Sequence, residues 1–96
     1  MFTITMKKSL RLFITGSVQG MFFEQFIKEN AEKLKVRGYM RKMPKGKIEI
    51  FLEGDIDNVD QMRSICSRGP THSQIKKIEE QPEKFQDFKE FKILKI

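Results

Sequence analysis

The sequence predicts a two-layer α+β sandwich in the order β-α-β-β-α-β plus a terminal strand, with two helices packed on one face of an antiparallel sheet. Three observations carry this. Leu10, Leu12 and Ile14 alternate with Arg11, Phe13 and Thr15 at the period of a strand; Phe23, Phe26, Ile27, Ala31 and Leu34 recur at helical spacing; and Ile48, Ile50 and Leu52 alternate again after a turn at Pro44 to Gly46.

The first strand is expected from Lys8 to Thr15, with one wet face. A helix follows from about Phe22 to Lys35, where Glu24, Lys28, Glu29, Glu32 and Lys33 take the polar side and the apolar stripe must bury on a sheet. Phe22, Phe23 and Phe26 read as core at that spacing rather than as a platform for stacking bases. Lys35 stands where a helix end usually wants glycine, and a left-handed residue there costs about 1 kcal/mol relative to glycine. Tyr39 to Met43, the turn at Pro44 to Gly46, and Lys47 to Glu53 form a hairpin in which Lys47, Glu49, Phe51 and Glu53 take the second face.

Asp55 is placed to accept free amides of a second helix opening at Ile56, whose Ile56, Val59, Met62, Ile65 and Cys66 line one side and which Gly69-Pro70 closes. Ile75 and Ile78 suggest a fourth strand between Ser73 and Glu80. Gln81 to Glu90 is polar and reads as loop, and Phe91 to Ile96 has the branched and aromatic content of a fifth strand. This is the ferredoxin-like arrangement.

Ninety-six residues, 39% of them hydrophobic, suffice for one domain over 1–96, with residues 1–7 expected to be poorly ordered. The longest uncharged stretch, Leu12 to Phe23, is 12 residues with two glycines, well short of the roughly 20 apolar residues of a membrane span. The first residues lack the apolar core of a secretory signal. Cys66 is the single cysteine, so a reducing, cytoplasmic setting is expected. The expected state is a monomer. It reads as a buried small hydrophobe, and the one histidine, His72, as a surface loop residue rather than a metal ligand.

Residues 1–50 hold 11 basic and 4 acidic side chains, and the remainder 8 and 9. The excess concentrates in Lys33, Lys35, Arg37, Arg41, Lys42, Lys45 and Lys47, with no acid among them. Such a segment either attracts a phosphate-rich partner, with nucleic acid the bulk candidate, or is a solvated basic hairpin.

Between the first strand and helix stand Gly16, Ser17, Val18, Gln19, Gly20, Met21, Phe22 and Phe23, followed by Glu24. A glycine-rich loop feeding a helix N-terminus aims unpaired N–H groups at one point, where an anion is the natural guest. The string Gly-x-Val-Gln-Gly-x-Phe-Phe closely resembles the signature of the acylphosphatases. The likeness extends through Lys33-Leu34, Gly38-Tyr39, Pro44 to Gly46, Glu53-Gly54 and Arg68-Gly69-Pro70, and covers about residues 8 to 96.

The resemblance implies a hydrolase without metal or cofactor that splits the carboxyl–phosphate anhydride of small acyl phosphates, with inorganic phosphate as product. It implies that the loop Gly16 to Phe22 and an arginine directly after Phe-Phe hold the phosphate, while an asparagine on the second strand orients the attacking water. This chain carries Glu24 and Lys42 at those two positions. A carboxylate in place of a guanidinium removes a bidentate clamp and adds repulsion of roughly 4 kcal/mol per like-charge pair at about 4 Å and an effective dielectric of about 20. Lysine has donors and no acceptor, so it cannot both donate to and accept from a water as an amide can. The expectation is an acylphosphatase-like chain of very low or no activity, or a noncatalytic anion- or RNA-binding domain using the loop and the segment Lys33 to Lys47. Glu24 and Lys42 either pair, filling the phosphate cradle with an internal salt bridge, or swing separately into solvent.

Overall fold

Alternation and helical spacing place the elements close to where the sequence puts them. In the computed structural model, which describes residues 6–17, 20–70 and 74–95, they are β1 (Lys7–Ser17), α1 (Gly20–Lys33), β2 (Arg37–Met43), β3 (Lys47–Asp55), α2 (Ile56–Arg68), β4 (Gln74–Pro82) and β5 (Phe91–Leu94). A short 3-10 turn at Pro44–Gly46 joins β2 to β3, with Lys45 at φ 65° and Gly46 at φ 71°. Residues 1–5 lie outside the described residues, and the chain is already placed at Met6, whose carbonyl accepts the Ile56 amide at 2.9 Å.

The strands lie in the order β4-β1-β3-β2-β5. The first four pair antiparallel, whereas β5 runs parallel to β2 from Gly38 opposite Phe91 to Arg41 opposite Leu94, so the sheet is mixed rather than wholly antiparallel. The cause is the long connection: the chain leaves β4 at one edge, crosses the sheet and enters the other edge in the direction of β2.

Register aligns Leu10 with Leu52, Leu12 with Ile50 and Ile14 with Ile48, which sets these apolar residues on the helix-covered face. Phe23, Ile27 and Ala31 of α1 and Val59, Met62 and Cys66 of α2 bury against them. Phe22 does not join this core, contrary to the expectation from its aromatic neighbours: it is 69% exposed, because the stripe Phe23, Ile27, Ala31 advances by four and Phe22 stands a residue outside it.

Residue Lys35 adopts φ 57°, and the helix closes by Val36 N–H to Ala31 C=O (2.8 Å) and Lys35 N–H to Glu32 C=O (3.2 Å), a Schellman motif with lysine in the left-handed position. At the start of α2, Asp55 makes no side-chain cap, contrary to expectation. Its Oδ1 accepts from Lys7 Nζ at 2.5 Å instead, while the Met6 carbonyl already satisfies the first amide.

The second face of the sheet is not simply wet. Residues 83–90 form a strap across one end of it, tied by Glu83 N–H to the Ser9 carbonyl (3.0 Å) and by Gly38 N–H to the Glu90 carbonyl (3.0 Å). At its centre Glu53, 1% exposed, accepts Ser9 Oγ–H (2.7 Å) and Gln86 N–H (2.6 Å) on Oε2 and Phe88 N–H (2.9 Å) on Oε1. Phe88 packs on Phe51 and Tyr39 with ring centroids 5.2 and 5.7 Å away. Phe51 is thereby buried on the side that its charged strand neighbours mark as polar.

Two outcomes are expected in chemical denaturation. Lys35→Gly should stabilise the chain by up to about 1 kcal/mol, since relief of left-handed strain exceeds the backbone entropy that glycine adds to the unfolded state. Glu53→Ala should destabilise by about 2 to 4 kcal/mol, because three donors lose one acceptor at once, and should speed hydrogen exchange at the Gln86 and Phe88 amides.

Candidate functional site

β1 delivers the chain to the start of α1, and Gly16 sits at the shift of register between β1 and β4. A Cβ there would stand 2.2 Å from the Gln74 carbonyl oxygen, so no other residue fits without moving β4. Of the expected phosphate loop Gly16 to Phe22, the backbone of Gly16 and Ser17 closes β1 and that of Gly20 to Phe22 opens α1, two residues earlier than helical spacing predicts. Val18 and Gln19 lie outside the described residues.

Lys42 lies on β2 opposite Ile48, on the same face as Met40, which the core buries. Glu24 follows the buried Phe23 on α1 and reaches this end of β2. Its Oε1 is 3.7 Å from Lys42 Nζ, so these two side chains do converge, and the pair forms rather than dispersing into solvent. A third group completes the cluster: Lys95 Nζ donates to Glu24 Oε2 at 2.8 Å. The carboxylate is 14% exposed, while the lysines are 57% and 75% exposed, so the anion sits inward and the cations reach it from outside.

Lys95 was not found by the sequence reading. It follows the Arg41–Leu94 pair by one residue, on the parity of Ile93, which is opposite Met40. That parity is a usable signal only once β5 is known to lie beside β2 and parallel to it.

The basic segment does not form one surface. Arg41 turns to the strap side of the sheet, where it pairs with the buried carboxylate of Glu49, which also receives the Tyr39 hydroxyl at 3.0 Å and faces Arg11 Nη1 at 3.4 Å. Burial, and then the hydrogen bond and charge of Glu49, push the Tyr39 phenol above its ordinary value. Lys47 stands 5.7 Å from the centre of the Phe13 ring. A pocket of about 350 Å³ between Tyr39, Phe88, Lys92 and Leu94 also opens on the strap side, and Glu24 and Lys42 do not line it.

A family model described as Acylphosphatase matches residues 10–93. The chain belongs to the acylphosphatase family. It is 38% identical over 77 residues to an acylphosphatase of Rubrobacter xylanophilus, covering 78% of this chain and 70% of the relative. To that of Pyrobaculum aerophilum it is 41% identical over 85 residues, covering 86% and 90%. Among solved structures, an acylphosphatase from Bacillus subtilis superposes with a TM-score of 0.85 at 24% identity, over 94% of this chain and all (100%) of that one, a likeness of fold.

Within this acylphosphatase-family chain two further candidates remain, Cys66 and His72. Cys66 is fully buried in the helix–sheet core, and burial pushes its thiol up to about 12. His72 lies outside the described residues. Among the described residues no group of three or more His, Cys, Asp or Glu is placed to hold a metal, and no helix is long and apolar enough to cross a membrane. A thiol reagent at pH 8 should therefore label Cys66 only as fast as the chain unfolds, since thiolate and access are both missing in the folded state. Rapid labelling under native conditions would contradict the burial.

Proposed function

We propose that this chain retains the anion-binding architecture of an acyl phosphate hydrolase but hydrolyses acyl phosphates very slowly or not at all. The observation that carries the reading is the occupied carboxylate of Glu24, standing between Lys42 and Lys95 beside the start of α1. In the reaction of the family, water attacks the phosphorus, the bond to the acyl oxygen breaks, and carboxylate and inorganic phosphate leave. Such a transfer depends on positioned donors and positive charge around the phosphoryl oxygens more than on a protein nucleophile. Helix amides at Gly20 to Phe22 remain suited to the phosphate. Glu24 repels it, and Lys42 offers no acceptor to orient water.

The alternative of a nucleic-acid surface built on Lys33 to Lys47 has less support. Arg41 and Lys42, adjacent in sequence, are engaged by carboxylates on opposite faces of the sheet. A continuous basic stripe would need them on one face.

Wild-type turnover of an aryl acyl phosphate is expected to be no more than roughly 0.1% of that of an ordinary acylphosphatase, from about 100-fold or more lost per preorganised donor. Glu24→Arg should recover phosphate binding but react slowly; Lys42→Asn alone should bind no better than wild type, because it leaves Glu24 with one cation fewer. Only the double variant should turn over substantially. Phosphate dissociation constants and turnover of all four proteins at fixed ionic strength check this, and wild-type turnover within tenfold of an ordinary enzyme would overturn it.

A further inference from the structure

We propose that Lys42 and Lys95 form a two-ammonium seat for a phosphate group, and that Glu24 is a tethered occupant of that seat. The inference rests on the reading of this end of α1 as a phosphate site, and it adds Lys95, which the family resemblance does not supply. One carboxylate is shared between two ammoniums: Lys95 Nζ donates to Oε2 at 2.8 Å, and Lys42 Nζ stands 3.7 Å from Oε1 as an ion pair without a hydrogen bond.

Three separate elements contribute the groups: α1 the carboxylate, β2 one lysine, and the residue after β5 the other. Removing Glu24 from between them therefore requires a side-chain rotation and no change of fold. Both lysines are more than half exposed, so an anion arriving from solvent can meet them, whereas Glu24 is 14% exposed and reaches them from beneath. With Glu24 in place the three groups sum to a single positive charge. Without it they present two, matching a phosphate dianion. Exposed ion pairs hold weakly, so Glu24 acts as a competitor that a sufficiently concentrated or multidentate phosphate ligand can displace.

The test is a titration with inorganic phosphate, followed by amide NMR at fixed ionic strength, of the wild type, Glu24→Gln, Glu24→Gln/Lys95→Ala and Glu24→Gln/Lys42→Ala. Glu24→Gln should tighten phosphate by about tenfold or more, the direction and least size expected when a like charge about 4 Å away is neutralised. Truncating either lysine in that background should reverse most of the gain. Glu24→Ala serves as a second background, and the amide spectrum of each variant establishes that it is folded. Affinity within twofold of wild type in both Glu24 variants, or a gain that survives loss of Lys95, would overturn the proposal. Acyl phosphate turnover of the same wild-type sample tests the low-activity reading separately: rapid turnover with a Lys95-dependent gain in Glu24→Gln overturns that reading and supports the seat.

Discussion

The buried carboxylate of Glu53 holds the strap that carries the chain from one edge of the sheet to the other, and the position of β5 depends on that crossing. Its two oxygens accept one hydroxyl and two backbone amides, from Ser9, Gln86 and Phe88. Each donor would otherwise be partly buried without a partner, at a cost of about 1 to 3 kcal/mol apiece. Once the strap is fixed, the Glu90 carbonyl meets the Gly38 amide and Phe91 enters beside β2. Lys95 is brought to Glu24 by this sequence of constraints. A structural carboxylate on one face of the sheet thus ties down the strap that precedes β5, and Lys95 follows β5 to the candidate site on the other face.

The two glutamates differ in what surrounds them. Glu53 is enclosed and fully hydrogen-bonded, so its removal falls on stability. Glu24 meets two largely exposed lysines, and exposed pairs of this kind contribute about 0 to 1 kcal/mol each. Its effect therefore falls on what the site can bind, where a like charge close to an incoming phosphate outweighs the small stabilisation of the pair.

Much of this fold was legible because period-two and helical patterns are local. Leu10, Leu12 and Ile14 name the buried face of β1, and Phe23, Ile27 and Ala31 that of α1, without knowledge of any partner. The left-handed conformation at Lys35 could also be read, from the helix end it occupies. What local pattern could not show is what covers the other face of β3: Phe51 and Glu53 alternate like solvent-facing residues and are buried because a segment more than thirty residues later lies over them. Asp55 likewise has the right chemistry for a cap, but Lys7, 48 residues away, takes its carboxylate. At the site, the family resemblance set Glu24 after the loop motif and Lys42 on the second strand and left their pairing open, whereas Lys95 required the order and direction of β5.

Phosphate binding and phosphoryl transfer make different demands on these same side chains. Binding is a matter of net charge, and two lysines can supply it from flexible stems. Catalysis needs donors already held where charge develops and a water held in line, so that no ordering remains when the reaction occurs. Lys42 and Lys95, 57% and 75% exposed, keep most of their rotamer freedom, and an ammonium is a point charge without the planar fork of a guanidinium. Displacing Glu24 can therefore open an anion site without restoring a catalyst. The slow hydrolysis proposed from Glu24 and Lys42 and the proposed lysine seat are compatible in one pocket, because the first reflects missing preorganisation while the second needs only attraction.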